Sequence, residues 1–396
     1  MDLPEHSMRP SWPEMARNAR RAVAPASLCL PVDDPALAAA RIAAAAQAEP
    51  PALMLLFASP AAVLRDLVAR LAGQLPPDCQ LVACSSAGEF ADQGYVNSSV
   101  VAVLFPAQGF RAMVVRLRDL PDLPVTAWMD HVRRASEQFA PAPGRSRFGI
   151  LLTDGAAGQE EVLTATLDAA LPWLNVVGGT VGEAQDAPGT VLMHGQDETP
   201  DCALLCMVES DCPVREIVFS HFTATSERMV VTEARSAERL ILRLNDEPAA
   251  DEYARLIGVA PGDLTQVHFA RHPLLLRMGA QYHVRAIASA RADGALQLMC
   301  SIEQGSVLTL GEADDDLCRG LDRALSRLPE KPAFVLGFDC ILRRLAVEKS
   351  VRARDVADLF ARHRIAGFNT FGEQHGGMHV NQTFVGLAFM PHQAGD

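Results

Sequence analysis

The sequence predicts an α/β protein of mixed β-sheets and helices in two related domains. Segments with helical apolar spacing alternate with short β-branched runs. A motif, [Ser/Thr]-x-Gly-Glu, recurs between apolar runs. The chain of 396 residues, 49% apolar and 21% charged, is long enough for more than one core of ordinary size.

Residues 1–26 hold acids, prolines and arginines but no apolar run of about 7–15 residues, so they read as a flexible leader and not as an export signal. Pro35 to Gln47 is alanine-rich, and Ala61 to Leu75 puts Val63, Leu64, Leu67, Val68 and Leu71 at helical spacing. QLVAC then leads into Ser86-Ala87-Gly88-Glu89, and SSVVAVLF follows. Gln159 to Leu171 is again helical, after LLTDG, and WLNVVG, Thr180-Val181-Gly182-Glu183 and CALLCMV repeat the pattern. The sequence style changes after Asp211-Cys212-Pro213, which sets domains of 27–213 and 214–396. Ala249 to Leu256, Asp314 to Leu328 and Val351 to His363 are the later helices, and RIAGF, Thr370-Phe371-Gly372-Glu373 and TFVGLAF form the third copy.

Each copy reads as strand, Gly-Glu turn, loop and returning strand. The glycine permits a left-handed or closely approached backbone, and the hydroxyl and carboxylate are suited to the turn's exposed amides. The second interval between motifs is nearly twice the first, so even spacing asks for a degenerate unit near Gly279, where YHVRAIASARADGALQLMCSI reads as strands around an Asp293-Gly294 hairpin. A fourth match, Thr309-Leu310-Gly311-Glu312, runs into the acidic EADDD, a helix start.

The formal net charge of −13, with no basic block, argues against a nucleic-acid partner. No run approaches the roughly 18 apolar residues of a membrane span. Nine cysteines without regular spacing fit a reducing compartment, so the expected location is cytoplasmic. Cys84 invites a nucleophile reading, yet no sequence pairing sets a base beside it. Nucleophile elbow, P-loop lysine and dinucleotide fingerprint are missing, so the chain is not expected to be an enzyme.

The strings ACSSAGEFADQGYVNSSVVAVLF, LLTDG with NVVGGTVGE, and GFNTFGEQHGGMHVNQTFVGLAF resemble the paired FIST N-terminal and C-terminal sensory domains, over nearly the whole chain. FSHFTATSERMVVTEA, LNDEPAADEYARLIG, FARHPLLLRMGAQYHVRAI, FDCILRRL and MHVNQT are similar to the haem-binding nitric oxide sensing proteins of that family. That resemblance implies a cytoplasmic bacterial sensor that binds haem b, takes up nitric oxide at the iron and modulates a separate histidine kinase or cyclic-di-GMP enzyme. The chain carries no kinase or GGDEF-like motif of its own.

Such a sensor needs an axial ligand, usually a neutral imidazole. There is no C-x-x-C-H string, so any haem is held non-covalently. His221, between Phe219-Ser220 and Phe222, is the first candidate. His283 lies on a probable strand with Arg285 on the same face, and His272 and His379 follow. Arg271, Arg277 or Arg285 suits a propionate, and Cys340, beside Arg343 and Arg344, is a competing thiolate ligand. The alternative is a haem-free sensory module for a small metabolite such as an amino acid. There Glu89, Glu183 and Glu373 converge to hold an ammonium, and Asn381 and Thr383 supply hydrogen bonds. A scaffold without a ligand is a third reading, and an exposed apolar patch would serve a homo-oligomer.

Overall fold

The computed structural model describes residues 23–182, 190–279, 281–314, 319–348 and 353–391. Their strands form three six-stranded sheets and one of eight strands, and nine α-helices accompany them among the described residues. The expected mixed α/β class holds. His6, Glu183 and His392 lie outside the described residues.

Three units of like order make the body. The first runs through strand Ala26–Pro31, helix Pro35–Ala48, strand Pro51–Ala58, helix Ala61–Leu71, strand Gln80–Ser85, the short strands Glu89–Ala91 and Gly94–Val96, and strand Ser99–Pro106. The second has strand Phe110–Leu117, helix Val125–Gln138, strand Ser146–Asp154, helix Glu160–Ala170, strand Asn175–Val181, short strands Leu192–His194 and Asp197–Glu198, and strand Ala203–Ser210. The third has strand Val214–Ser220, helix Arg319–Ser326, strand Phe334–Cys340, helices Ile341–Glu348 and Ala353–His363, strand Ile365–Thr370, short strands Glu373–His375 and Met378–Val380, and strand Thr383–Phe389.

In every unit the two strands joined by the middle helix or helices pair in parallel, and the returning strand lies antiparallel. The short hairpin leaves its own sheet. Glu89–Ala91 pairs with Ile365–Thr370 of the third unit, Leu192–His194 with Gln80–Ser85 of the first, and Glu373–His375 with Asn175–Val181 of the second. The exchange closes a ring, so the body has pseudo-threefold order.

Alternation along the strands builds the core. Leu53, Leu55 and Phe57 face the common interior, while Met54, Leu56 and Ala58 face the first unit's helices. Strands buried on both faces read as continuous apolar runs, as these do. Phe389 gathers rings from all three units, with centroids 5.8 Å from Phe105, 5.9 Å from Phe110, 5.6 Å from Phe148 and 6.2 Å from Phe334.

The interval near Gly279 has another cause than a fourth unit. Between Ser220 and helix Arg319–Ser326 the third unit carries an insert, the eight-stranded sheet from Phe222 to Ala313, with a core of its own around Met229, Ile241, Tyr253, Leu274 and Leu296. The hairpin around Asp293-Gly294 exists, pairing Ile287–Ala290 with Leu296–Leu298, but it belongs to this insert. Thr309 to Glu312 lies within the insert strand Val307–Ala313, where Gly311 pairs with Ala224.

Candidate functional site

At the first and third Gly-Glu turns the chain crosses from its own unit to a neighbouring one, forming a seam. Gly88 takes φ +126°, and a Cβ there would stand 1.8 Å from Arg344 Nη1. A Cβ on Gly372 would stand 2.1 Å from His379 Cε1, so both turns need glycine for close approach. The backbone groups of each turn bind the neighbouring unit: Asn369 N donates to Gly88 O at 2.7 Å, and Thr180 N to Gly372 O at 2.8 Å.

The motif hydroxyls serve the carboxylates more than the turn amides. Ser86 Oγ donates to Glu89 Oε1, and Ser99 Oγ to Glu89 Oε2 at 2.9 Å. Thr370 Oγ1 donates to Glu373 Oε1 at 2.5 Å, and Thr383 donates to Glu373 Oε2 from N at 3.2 Å and from Oγ1 at 2.5 Å. Burial pushes the carboxyl of Glu89 up to about 7 and that of Glu373 up to about 8, against the pull of these donors. Glu89 and Glu373 stand in different seams, and Thr383 is bound to Glu373.

The two seams differ in what fills them. The ladders set Phe90 opposite Tyr95 and Gln374 opposite His379, so Tyr95 and His379, and then Asn97 and Asn381, hold matching positions. In the first seam the buried Arg344 donates to Asn97 Oδ1 at 2.5 Å, Asn369 Oδ1 at 3.0 Å, Val96 O at 3.3 Å and Glu348 Oε1 at 2.7 Å. Its guanidinium carbon lies 5.4 Å from the Tyr95 ring centroid. In the second seam Asn381 Nδ2 donates to Phe371 O at 3.3 Å, but Asn381 Oδ1 is buried without a partner. Gln374 Nε2 donates to Thr180 Oγ1 at 2.8 Å and lies 3.5 Å from His379 Nδ1, while Gln374 Oε1 is likewise unpartnered. Gly155 to Gln159, which follow the second unit's strand Ser146–Asp154 as Arg343 and Arg344 follow the third's Phe334–Cys340, include no basic residue.

Beside that second seam is a cavity of about 320 Å³. Ala156, Glu160, Thr180, Phe371 and His379 line it from the body, and Arg239 and Met299 from the insert. Arg239 Nη2 donates to Gly158 O at 3.0 Å, Glu160 Oε2 at 2.8 Å and Glu161 Oε2 at 3.1 Å, and Nη1 donates to Met299 O at 2.9 Å. Ser301 N donates to Glu161 Oε1 at 2.8 Å. Burial lowers the His379 imidazole below its ordinary range, opposed by Glu160 and Glu161, and keeps the ring neutral near neutral pH.

The other expected haem-site residues divide into separate places. His283 and Arg285 lie on the insert strand Gln281–Arg285; the His283 ring is 6.1 Å from that of His375, and burial, His375 and Arg285 lower its pKa. Arg285 Nη1 donates to Val284 O at 3.3 Å and the guanidinium hydrogen-bonds the Cys300 thiol, while its buried Nε has no partner. His221 stands where the chain leaves the body for the insert; burial, with Arg343, pushes it down to about 3. Its Nδ1 is buried without a partner, and its ring is 4.0 Å from that of Phe222. The half-buried His272 follows the short helix Gln266–Arg271. Burial raises the thiols of Cys84 and Cys340 well above their ordinary value, which holds both as neutral thiols. Among the described residues no group of three or more His, Cys, Asp and Glu side chains is placed to hold a metal ion, and no helix is long and apolar enough to cross a membrane.

Sequence reasoning found His379 and Asn381 but missed Glu160, Glu161, Phe371, Arg239 and Met299. Arg239 gave little signal: it is an arginine at φ +57°, an uncommon conformation for a side-chain-bearing residue, in the insert.

The exchanged Gly-Glu hairpins close a three-unit α/β body, and a cleft lies between it and the insert. The FIST N domain matches residues 52–247 and the FIST C domain matches residues 249–375, so this chain belongs to the FIST family, whose domains are sensory domains of signal transduction. No curated protein matches it. The crystal structure of cyanuric acid hydrolase from A. caulinodans is similar at 12% identity over 71% of this chain and 99% of that chain, with a TM-score of 0.18, too low to relate the two folds.

Proposed function

We propose that this chain senses a small polar metabolite in the cleft between the second unit and the insert, and passes its occupancy to a separate signalling partner. The cavity lined from both the body and the insert supports this reading most directly; His379, which lines it, lies with Asn381 against Gly372, and the buried Asn381 Oδ1 has no donor, a costly state until something donates to it. Glu160 and Arg239 offer both signs of charge, as an amino acid would require, and Phe371 and Met299 offer apolar wall. In this reading the output goes to a separate histidine kinase or cyclic-di-GMP enzyme. A thermal-shift screen of amino acids, amines and small acids tests this; no stabilising compound, or stabilisation unchanged in Arg239→Gln, sinks it.

Haem-based nitric oxide sensing is the second reading, favoured by His221. A neutral, buried imidazole with an unpartnered nitrogen beside Phe222 fits the chemistry of an axial haem ligand. His221 would hold haem b, whose iron supplies the nitric oxide site. The check is the absorption spectrum of protein purified with haem supplied, before and after reduction and nitric oxide addition. A stoichiometric Soret band that shifts with nitric oxide and is lost in His221→Ala but kept in His283→Ala supports it, and no saturable band rejects it.

A further inference from the structure

We infer that a second cavity, between helix Glu160–Ala170 and the exchanged hairpin of the third unit, is a binding site for a small primary amine in its protonated form. It is separate from the cleft and does not depend on the reading given to that cleft.

This cavity measures about 220 Å³. Thr164 and Asp168, four residues apart and so on one face of the helix, form one wall. The chain from Pro172 to Val176 forms a second, and Gln374 to Gly377 of the hairpin a third. The hairpin turns there on two glycines, Gly376 at φ +54° and Gly377 at φ +72°. A Cβ on Gly377 would stand 2.8 Å from Asp168 Cβ, so the glycine lets the turn come up against the carboxylate-bearing part of the helix.

Its polar lining is made of acceptors that nothing serves. Among the described residues Asp168 has no hydrogen bond or ion pair, and no arginine or lysine lines the cavity to answer its charge. Gln374 is 1% exposed; its Nε2 donates to Thr180 Oγ1, which belongs to the lining of the cleft and not of this cavity, and its Oε1 is left buried without a partner. Thr164 Oγ1 gives its proton to Glu160 O at 2.8 Å and keeps only lone pairs. Burial lowers the His375 imidazole below its ordinary range, so it adds no positive charge near neutral pH. Trp173, 45% exposed, supplies an aromatic wall. Arg147, whose guanidinium carbon lies 4.0 Å from that ring's centroid, is outside the lining and paired with Glu209. A primary ammonium carries three N–H donors for the carboxylate, the orphaned amide oxygen and the threonine, and its carbons suit the indole. An anion would meet Asp168 with no cation to offset it.

Calorimetric titration of the full chain with butylammonium and benzylammonium, with butyrate and benzoate as anionic controls, tests this. Saturable binding of an ammonium is expected, with none for the anions. Asp168→Asn, at an exposed carboxylate without an internal partner, should weaken that binding by about tenfold or more and leave the melting temperature of the free protein unchanged. The same variant is the background in which amines are screened for the cleft, so the two sites fail separately. Binding of the anions as tight as that of the ammonium probes overturns the ligand class, and ammonium binding unchanged in Asp168→Asn overturns the placement. Saturation by no ammonium probe overturns the site itself and leaves the reading of the cleft standing.

Discussion

Thr383 donates from Oγ1 to Glu373 Oε2 at 2.5 Å, and Ser99 stands in the same relation to Glu89 at 2.9 Å, ten residues beyond its glutamate in each case. A second hydroxyl, three residues before each glutamate, serves the other oxygen. The motif's first and last positions therefore form one polar unit inside an apolar seam. It holds the start of the exchanged hairpin, and the motif recurs for the needs of the fold before those of any ligand.

These buried carboxyls make stability depend on pH. Burial leads in raising Glu373 to about 8 and Glu89 to about 7, while an unfolded chain releases those protons near about 4.3. Between these values the native state binds more protons, so the stabilisation is complete below the unfolded value and is lost as pH rises through about 7 and about 8. Urea unfolding should show wild type less stable near pH 8.5 than near pH 5, with Glu373→Gln flattening that difference by an amount on the order of 1–2 kcal/mol. An identical slope in the variant removes Glu373 as its source.

The parallel pair at the second unit's centre tolerates no side chain at Gly178, where a Cβ would stand 1.8 Å from Leu151 O. Backbone cannot give way there without opening the ladder, so Gly178→Ala should cost more than about 3 kcal/mol in chemical denaturation. Gly195, at φ +61° with nothing within 4 Å, is the control: its alanine variant should lose about 1 kcal/mol through backbone strain alone. Equal losses would mean that the close approach is not limiting.

Arg344→Met keeps the length of the side chain and removes the donors to Asn97, Asn369 and Val96. The buried Asn369 Oδ1 then goes unmet, while the exposed Asn97 and half-buried Val96 can turn to water, and the expected loss is about 2 kcal/mol. Glu348 is 41% exposed, so Glu348→Gln should cost under about 1 kcal/mol. If thermal unfolding gives the two variants equal losses, the guanidinium acts only through its surface ion pair.

The helices legible in the sequence are those that cover an outer sheet face, such as Ala61–Leu71 with Leu64, Leu67, Val68 and Leu71 buried. Val125–Gln138 escaped because only Trp128, Val132 and Ala135 are buried along its 14 residues, too sparse an apolar face to mark a period. The returning strands were legible because both faces are buried. The hairpin exchange was not: Glu373–His375 carries nothing that names Asn175–Val181 as its partner, and ring closure decides it. Asn381 was found because it follows a Gly-Glu motif, whereas Arg239 meets Glu160 across 79 residues of sequence and from the insert that lengthens the second interval.

Arg239 and Ser301 are the insert's hydrogen-bonded tie to the Gly158–Glu161 segment of the body. The ion pairs are only a quarter exposed on the arginine side, so they are less screened than surface pairs. Arg239→Ala should release Glu161 from its place and with it the acceptor for the Ser301 amide. Hydrogen exchange is then expected to rise at Cys300 to Ile302, and at Glu160 and Glu161, while the amides of Phe334–Cys340 in the shared core keep wild-type protection. A uniform rise across both regions would show that the insert and body open as one unit, and an unchanged Ser301 amide would show that Glu161 is held without the arginine.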